Sequence, residues 1–389
     1  MRYRARVPRS LSDDQVRLLR MRSQRLTGER ATGVHDLVSG MGGLQAQHTA
    51  AARLAVRVRS EGLDAAAVTR ACNQERSVVR TWAMRGTLQI VAAEDVGWLV
   101  ALLGPGAARA GRRRRRQLGL DDVVCARALP AMRKILAGGG RCTRAELVGR
   151  LAAEGVAVDP KGQAPAHLLF YAATQGLVCR GPDLPDDEPT YVLLEEWVGA
   201  QPALEPEAAL ARLARCYVAG HGPAGARDLA AWAGIALGQA RRGLQGAAGD
   251  LVEVVVAGEP AWMLAGAGGP GATRPGATRP EATRPDAAGP YVRLLPHFDA
   301  WLLGYRSREL VLDPRFARRI QAGGGWIHPA VVVDGRVVGT WHQQRKGERL
   351  TVVVAPFGRL DPAVRPGLEA EAADLGRFLH AEATLAVER

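Results

Sequence analysis

The chain has 389 residues, 47% of them hydrophobic but only 5% aromatic, a length that suits about two to four modules with cores built largely from Ala, Leu and Val. Lys and Arg outnumber Asp and Glu by 52 to 39, giving a net charge of +13 and a pI near 10.3, and a surplus of that size makes a polyanion the leading partner. No run of about 18 apolar residues occurs, so no membrane span is expected, and no apolar stretch follows the basic Met1–Arg9 segment, so no signal peptide is expected.

The only lysines are Lys134, Lys161 and Lys346, so the basicity is arginine. Arginine forks onto phosphate and stacks on bases, which suits nucleic acid. A general replacement of Lys by Arg in an Ala/Gly/Arg-rich chain explains the bias equally well. The five cysteines (Cys72, Cys125, Cys142, Cys179, Cys216) are scattered, with no CxxC pair, so free thiols in a reducing compartment are expected, and no zinc site.

Apolar spacing predicts a helix over Ser12–Arg25, with Ser12 as cap and Gln15 completing a capping box. A short helix over Val34–Val38, one over Gln47–Val58 and one over Ala65–Cys72 follow. Val78–Val91 reads as strands or a wing, and Ala93–Leu103 as helix. A second module opens near Asp121, with Thr143 capping a helix that carries Glu146 and Leu147, a helix over Ala164–Gln175 and a strand at Tyr191–Leu194. A third repeats the order: helix Glu207–Tyr217, a turn leading to Leu229, helix Leu237–Leu244, and a wing at Leu251–Val256 and Trp262–Leu264. Helix, short helix, longer helix and hairpin is the winged helix-turn-helix order. Gly266–Gly289 holds Ala-Thr-Arg-Pro three times and reads as an extended loop. Asp334-Gly335 predicts a type I′ hairpin between Ala330–Val333 and Arg336–Trp341; Leu350–Val354 reads as a third strand and Pro366–Ala386 as a closing helix. The expected fold is α+β: winged-helix modules over 1–120, 121–200 and 201–264, a loop over 265–290, and a β-rich part over 291–389.

The segment Gly43-Leu44-Gln45-Ala46-Gln47 is the candidate for chemistry. On extended chain, positions i and i+2 face one side, so two amides could hold one water without a carboxylate's charge. The same pair could also cap the flanking helices. His48, Arg53 and Arg57 follow it; His48 could assist the pair, though a lone His at a helix start is more often a cap. Arg80, Trp82 and Arg85 interleave in Arg80-Thr81-Trp82-Ala83-Met84-Arg85-Gly86-Thr87-Leu88-Gln89, either as a DNA-binding wing or as a core strand with solvated arginines. Arg241 and Arg242 lie on the third module's recognition helix, and Arg336 follows the Asp-Gly turn. Arg112–Arg116 cannot all face one way on a helix and reads as a solvated, phosphate-attracting face. Asp299, Arg306 and Arg308 read as an ion-pair network with a structural role.

Gly-Leu-Gln-Ala-Gln at 43–47, Trp-Ala-Met-Arg-Gly-Thr-Leu at 82–88, Leu-Leu-Pro-His-Phe-Asp at 294–299 and Val-Asp-Gly-Arg-Val-Val-Gly-Thr-Trp at 333–341 together resemble the tandem winged-helix DNA glycosylases of the AlkZ/YcaQ type. The resemblance spans nearly the whole chain, in order. It implies a C-shaped molecule with a basic concave face, and excision of bulky N7-alkylated purines, in some members with unhooking of interstrand crosslinks made by azinomycin-like natural products. It implies Gln45 and Gln47 as catalytic residues of the Gln-apolar-Gln, self-resistance branch; the residues themselves offer His48, Arg53, Arg57, Arg80, Trp82, Arg85, Arg241, Arg242 and Arg336 as candidate DNA contacts. One position departs: Gln89 stands where His often follows the Arg-Gly-Thr-Leu block. The implied partner is double-stranded DNA carrying an alkylated purine or a crosslink, with no membrane, cofactor or metal. A cytoplasmic, nucleoid-associated monomer is expected. A winged-helix transcriptional regulator and a non-catalytic DNA binder are the competing readings.

Overall fold

A computed structural model describes residues 8–201, 203–266 and 289–388. The three Ala-Thr-Arg-Pro repeats lie outside the described residues. β1 (Arg9–Leu11) leads into α1 (Asp13–Ser23), which opens on the expected capping box between Ser12 and Gln15. The first group of elements is α2 (Val34–Met41), β2 (Leu44–Gln45), α3 (Thr49–Arg57), α4 (Ala65–Asn73), β3 (Val78–Trp82) and β4 (Leu88–Ala92), its strands ordered β2-β4-β3. α5 (Val96–Gln117) carries the arginine run: Arg115 turns inward, its guanidinium 4.3 Å from the Tyr171 ring centroid, while Arg112, Arg113, Arg114 and Arg116 stay exposed.

The second group is α6 (Asp122–Leu136), β5 (Cys142–Thr143), α7 (Arg144–Ala153), α8 (Ala164–Thr174), β6 (Val178–Arg180) and β7 (Thr190–Leu193), closed by α9 (Leu194–Val198). The third is α10 (Pro206–His221), α11 (Ala226–Ala233), α12 (Leu237–Gly246), β8 (Leu251–Val256) and β9 (Glu259–Leu264). All three groups share one order: helix, short strand, two helices, hairpin. In the third the short strand shrinks to the Ala224–Trp262 bridge. The middle helices start from His48, Thr143 and Gly225, and the residue one turn inside each, Ala52, Leu147 and Leu229, is buried. β1 pairs in parallel with β8, so the N-terminal strand completes the third sheet.

The C-terminal part contains β10 (Val292–Leu295), α13 (Ala300–Leu303), α14 (Ala317–Ile320), β11 (Ala330–Val333), β12 (Arg336–Lys346), β13 (Arg349–Pro356), α15 (Arg365–Leu379) and β14 (Glu382–Val387), with its five strands side by side in chain order. Asp334 and Gly335 take φ of 47° and 79°, the type I′ turn expected of Asp-Gly. The expected closing helix is shorter than its Ala-rich sequence suggests. It stops at His380, which takes φ of 51°, and Glu382–Val387 pairs in parallel with β13, exchanging helical hydrogen bonds for ladder ones. No described helix is long and apolar enough to cross a membrane.

Two arginines at the C-terminal end of α3 join the first group to the C-terminal part. Arg57 is fully buried and donates to Glu371 at 2.9 Å, Asp374 at 3.0 Å and the Leu294 carbonyl at 2.9 Å. Arg59, also fully buried, grips both Asp299 oxygens at 2.7 and 2.8 Å and donates to the Gln24 side-chain oxygen. The expected Asp299–Arg306–Arg308 network is therefore corrected. Asp299 is taken by Arg59, Arg308 donates to the Leu302 carbonyl and Gln321, and the Arg306 N–H donates to Asp228.

His221 ends α10 in an aromatic enclosure, its ring centroid 4.8 Å from Tyr217 and 5.4 Å from Trp232. Burial first, then the charges of Arg59, Arg20 and Arg85, pushes its pKa down to about 3, against the backbone contact to Tyr217, which raises it.

Two outcomes follow. Arg57→Ala leaves the Glu371 carboxylate buried and short of its main partner, and is expected to lower the unfolding free energy by about 3 to 5 kcal/mol, read from urea denaturation. His221 stays neutral in the native chain but takes up a proton on unfolding below its ordinary value near 6.5, so its contribution is present above pH 6.5 and lost as pH falls toward 3. The urea midpoint should drop between about pH 6.5 and 4.5, and His221→Phe should flatten that drop.

Candidate active site

Gln45 and Gln47 lie on the strand-to-helix connection of the first group. In the second group that connection is direct: Thr143 ends β5 and caps α7. In the first, Ala46, Gln47 and His48 are interposed between β2 and α3. The pair does not cap either neighbour. α2 ends on Gly42 in the left-handed region at φ of 67°, and α3 is capped by His48, whose Nδ1 accepts from the Ala51 N–H at 3.3 Å. Freed from capping, the glutamines flank a buried Ala46, Gln45 half-buried and Gln47 exposed.

Each amide oxygen has one donor. Gln45 Oε1 accepts from Arg85 Nη2 at 2.9 Å, and Gln47 Oε1 accepts from the Leu88 N–H at 3.3 Å. The Leu88 carbonyl meanwhile accepts from the Ala46 N–H at 2.8 Å, so one residue of β4 holds both Ala46 and Gln47, and Gln45 is held by Arg85. Arg85 occupies the tight turn between β3 and β4 with φ of 56°, and its Nη1 donates to the Trp232 carbonyl at 2.6 Å, at the end of α11. The site therefore forms where the first and third groups meet. Each oxygen retains a lone pair for a further donor, such as water. Gln89, opposite Gln45 in the β2–β4 register, is buried and donates to the Thr87 hydroxyl at 2.7 Å. It supports the strand from inside.

The C-terminal part closes the other flank. The His48 ring lies 6.1 Å from the His297 ring, centroid to centroid, and His297 neighbours Trp326 at 5.3 Å and His328 at 5.9 Å. Sequence reasoning assigned no role to these three. His297 was visible only inside the Leu-Leu-Pro-His-Phe-Asp block, and the Gly323-Gly324-Gly325-Trp326 run held the other available signal.

Several expected DNA contacts are used elsewhere. Arg57 is fully buried on its two carboxylates, and Arg80 is buried against Asp183, donating at 2.8 Å, and the Gly181 carbonyl at 2.9 Å; both are corrected to structural residues, because a buried guanidinium already spent on carboxylates is not free to meet a phosphate. Arg53 is held by Asp187 through two hydrogen bonds, and Trp82 stacks on Tyr191 at 6.5 Å and meets Phe170 edge-on at 6.2 Å. Arg53, Arg80 and Trp82 thus form a seam between the first and second groups. Arg85, Arg241, Arg242 and Arg336 are exposed; Arg242 is paired with Glu207 at 3.1 Å, and Arg336 stands 4.0 Å from Asp14.

A family model described as DNA glycosylase AlkZ-like matches residues 38–378. The interstrand DNA cross-link repair glycosylase of Streptomyces sahachiroi is 29% identical over 375 residues, spanning 93% of this chain and 95% of that protein. The solved structure of the Streptomyces sahachiroi DNA glycosylase AlkZ has a TM-score of 0.79 at 27% identity, covering 97% of this chain and 100% of that one. With a matched region that takes in both the Gln45–Gln47 segment and the first four strands of the C-terminal sheet, the chain belongs to the AlkZ-like DNA glycosylase family.

Proposed function

We propose that this glycosylase releases bulky N7-alkylated purines from double-stranded DNA, and that it unhooks interstrand crosslinks built on such purines, in repair or in self-resistance to a genotoxic natural product. The observation that carries the reading is the Gln45-Ala46-Gln47 tripeptide, with two uncharged amide oxygens held on either side of a buried alanine and neither spent on capping a helix.

N7-alkylation gives the purine a formal positive charge. As the bond from N9 to the sugar C1′ breaks, its electron pair passes to the ring and cancels that charge, so little protonation of the leaving base is required. Positive charge then develops on the sugar. Water adds its oxygen to C1′ and gives up a proton to solvent, leaving an abasic site. Gln45 and Gln47 orient that water and set the negative ends of two amide dipoles toward the sugar. A carboxylate base is unnecessary for so labile a bond, and the amides are poorly suited to neutral, undamaged bases. A lyase step needs an amine nucleophile. Lys134 on α6 is paired with Glu154 just past α7, well away in the chain from the glutamines, and hydrolysis without strand scission is the expected outcome.

The modules span 1–120, 121–200 and 201–264, with the 291–389 part packed on the first. Of the expected DNA contacts, His48, Arg85, Arg241, Arg242 and Arg336 are the ones left on the surface, and they are the proposed contacts. A bulky adduct or crosslink resists full extrusion into a closed pocket, and a site opening on a surface accepts it in place.

Purified protein incubated with a duplex carrying one N7-methylguanine, followed by alkaline cleavage, tests the proposal. Gln45→Ala and Gln47→Ala should each slow base release by about 10²- to 10³-fold. Full activity in both variants would remove the glutamines from the mechanism. Arg241→Ala and Arg336→Ala should each lower the salt dependence of duplex affinity by about one unit of slope, measured by titration across ionic strength.

A further inference from the structure

Beside the glutamines lies a surface of rings with no assigned use. Trp326 is 42% exposed, the one exposed large aromatic side chain among the described residues. It is no stray loop residue. Gly323, Gly324 and Gly325 all take positive φ, the Trp326 N–H donates to the Gly323 carbonyl at 3.0 Å, and the indole meets His297 and Phe298 edge-on at 5.3 and 4.9 Å. Glycine tolerates that backbone at no steric cost, and the turn it makes presents the indole outward on a buried Phe298. An exposed indole held in place has a face left over for a ligand.

The chemistry of the surface selects the ligand. His297 Nδ1 lies 3.0 Å from the Ile327 carbonyl, which only an N–H can approach, and burial lowers the pKa of this ring. The titratable groups acting on His297 besides that carbonyl contact are His328 and His48, and neither a carboxylate nor a guanidinium is among them. Among the described residues no three His, Cys, Asp or Glu side chains converge closely enough to hold a metal ion, these imidazoles included. In a chain that meets anions with arginine, this patch offers π-faces. A π-face attracts a flat cation, most strongly on tryptophan. Continuity with the site is direct, since His48 follows Gln47 in the chain and its ring neighbours that of His297, 6.1 Å away centroid to centroid.

We propose that Trp326 and His297, with His48 linking them to the glutamines, form a recognition surface for the positively charged N7-alkylated purine, selecting it by charge rather than by shape. The assignment rests on the glycosylase reading of Gln45 and Gln47 and adds the residues that choose the base.

The test is a binding measurement that needs no turnover. Three duplexes are compared. One carries N7-methylguanine on a 2′-fluorinated sugar, which resists base release. The second carries 7-methyl-7-deazaguanine, a neutral analogue of the same shape, and the third is undamaged. The wild-type protein is expected to favour the cationic base over its neutral analogue by about tenfold, Trp326→Ala to lose that preference while binding undamaged duplex normally, and Trp326→Phe to restore part of it. Equal binding of the two analogues by the wild type would overturn the proposal. So would a Trp326→Ala variant that keeps the preference, or one that weakens on all three duplexes alike, which marks a general DNA contact. Base release from the unfluorinated lesion, run in parallel with the wild type and Gln45→Ala, reports separately on the glutamines.

Discussion

Everything at the site depends on how α3 is fixed. Its N-terminal end follows directly from the glutamines, and its C-terminal end is held by Arg57 and the nearby Arg59, both without solvent access and both paired with acids from the C-terminal part. A buried ion pair adds little net stability over a well-packed apolar alternative, but it tolerates only one arrangement, because a displaced charge is left unpaired in a low-dielectric interior. Asp299 meets Arg59 through both oxygens, and Glu371 meets Arg57 while accepting the Leu294 N–H. The geometry they specify is transmitted along two turns of helix to Gln47. The His297 neighbourhood is fixed by the same device, since Asp299 lies two residues beyond His297 and caps α13.

Arginine serves two purposes in this chain. With aromatics scarce, guanidiniums occupy positions that large rings fill elsewhere, lying over Tyr171, Tyr305 and Trp197 and donating to carbonyls between element groups. Arg17, Arg20, Arg57, Arg59, Arg80 and Arg115 are all buried. The net charge of +13 is a sound pointer to a polyanion, yet it overstates how many cations are free to meet one.

Local chemistry made much of the fold legible. The caps at Ser12 and Thr143, the Asp334-Gly335 turn and the wings of the second and third groups depend on neighbours a few residues apart, and they stand where expected. Long-range chemistry was not legible. Nothing near Arg57 in the chain announces Glu371, and an arginine beside a candidate catalytic motif reads more naturally as a phosphate contact. β14 was hidden because its Ala-rich sequence suits a helix and its partner is a parallel strand across an intervening helix. The repeat signal in the first group was weak because Ala52 stands where Leu147 and Leu229 anchor the others. Of the site, the glutamine pair was readable and so was a cap at His48; what the sequence did not reveal was that the second frees the first, since the glutamines could equally have capped the flanking helices. The Trp326 surface stayed hidden because a glycine run reads as a plain loop.

The parallel pairing of β1 with β8 imposes an order of assembly. Arg9–Leu11 is made before any of the third group, but its partner Val254–Val256 is among the last residues of that group. During synthesis the first strand and the helix after it must wait, with an apolar face uncovered, while the intervening elements acquire their shape. Contacts of such sequence separation raise the entropy lost on closure and slow the final step of folding. The waiting segment is also exposed to capture by other chains, and the charged start of α1, with Asp13, Asp14 and Arg17, keeps charge beside a hydrophobic strip that cannot yet be buried.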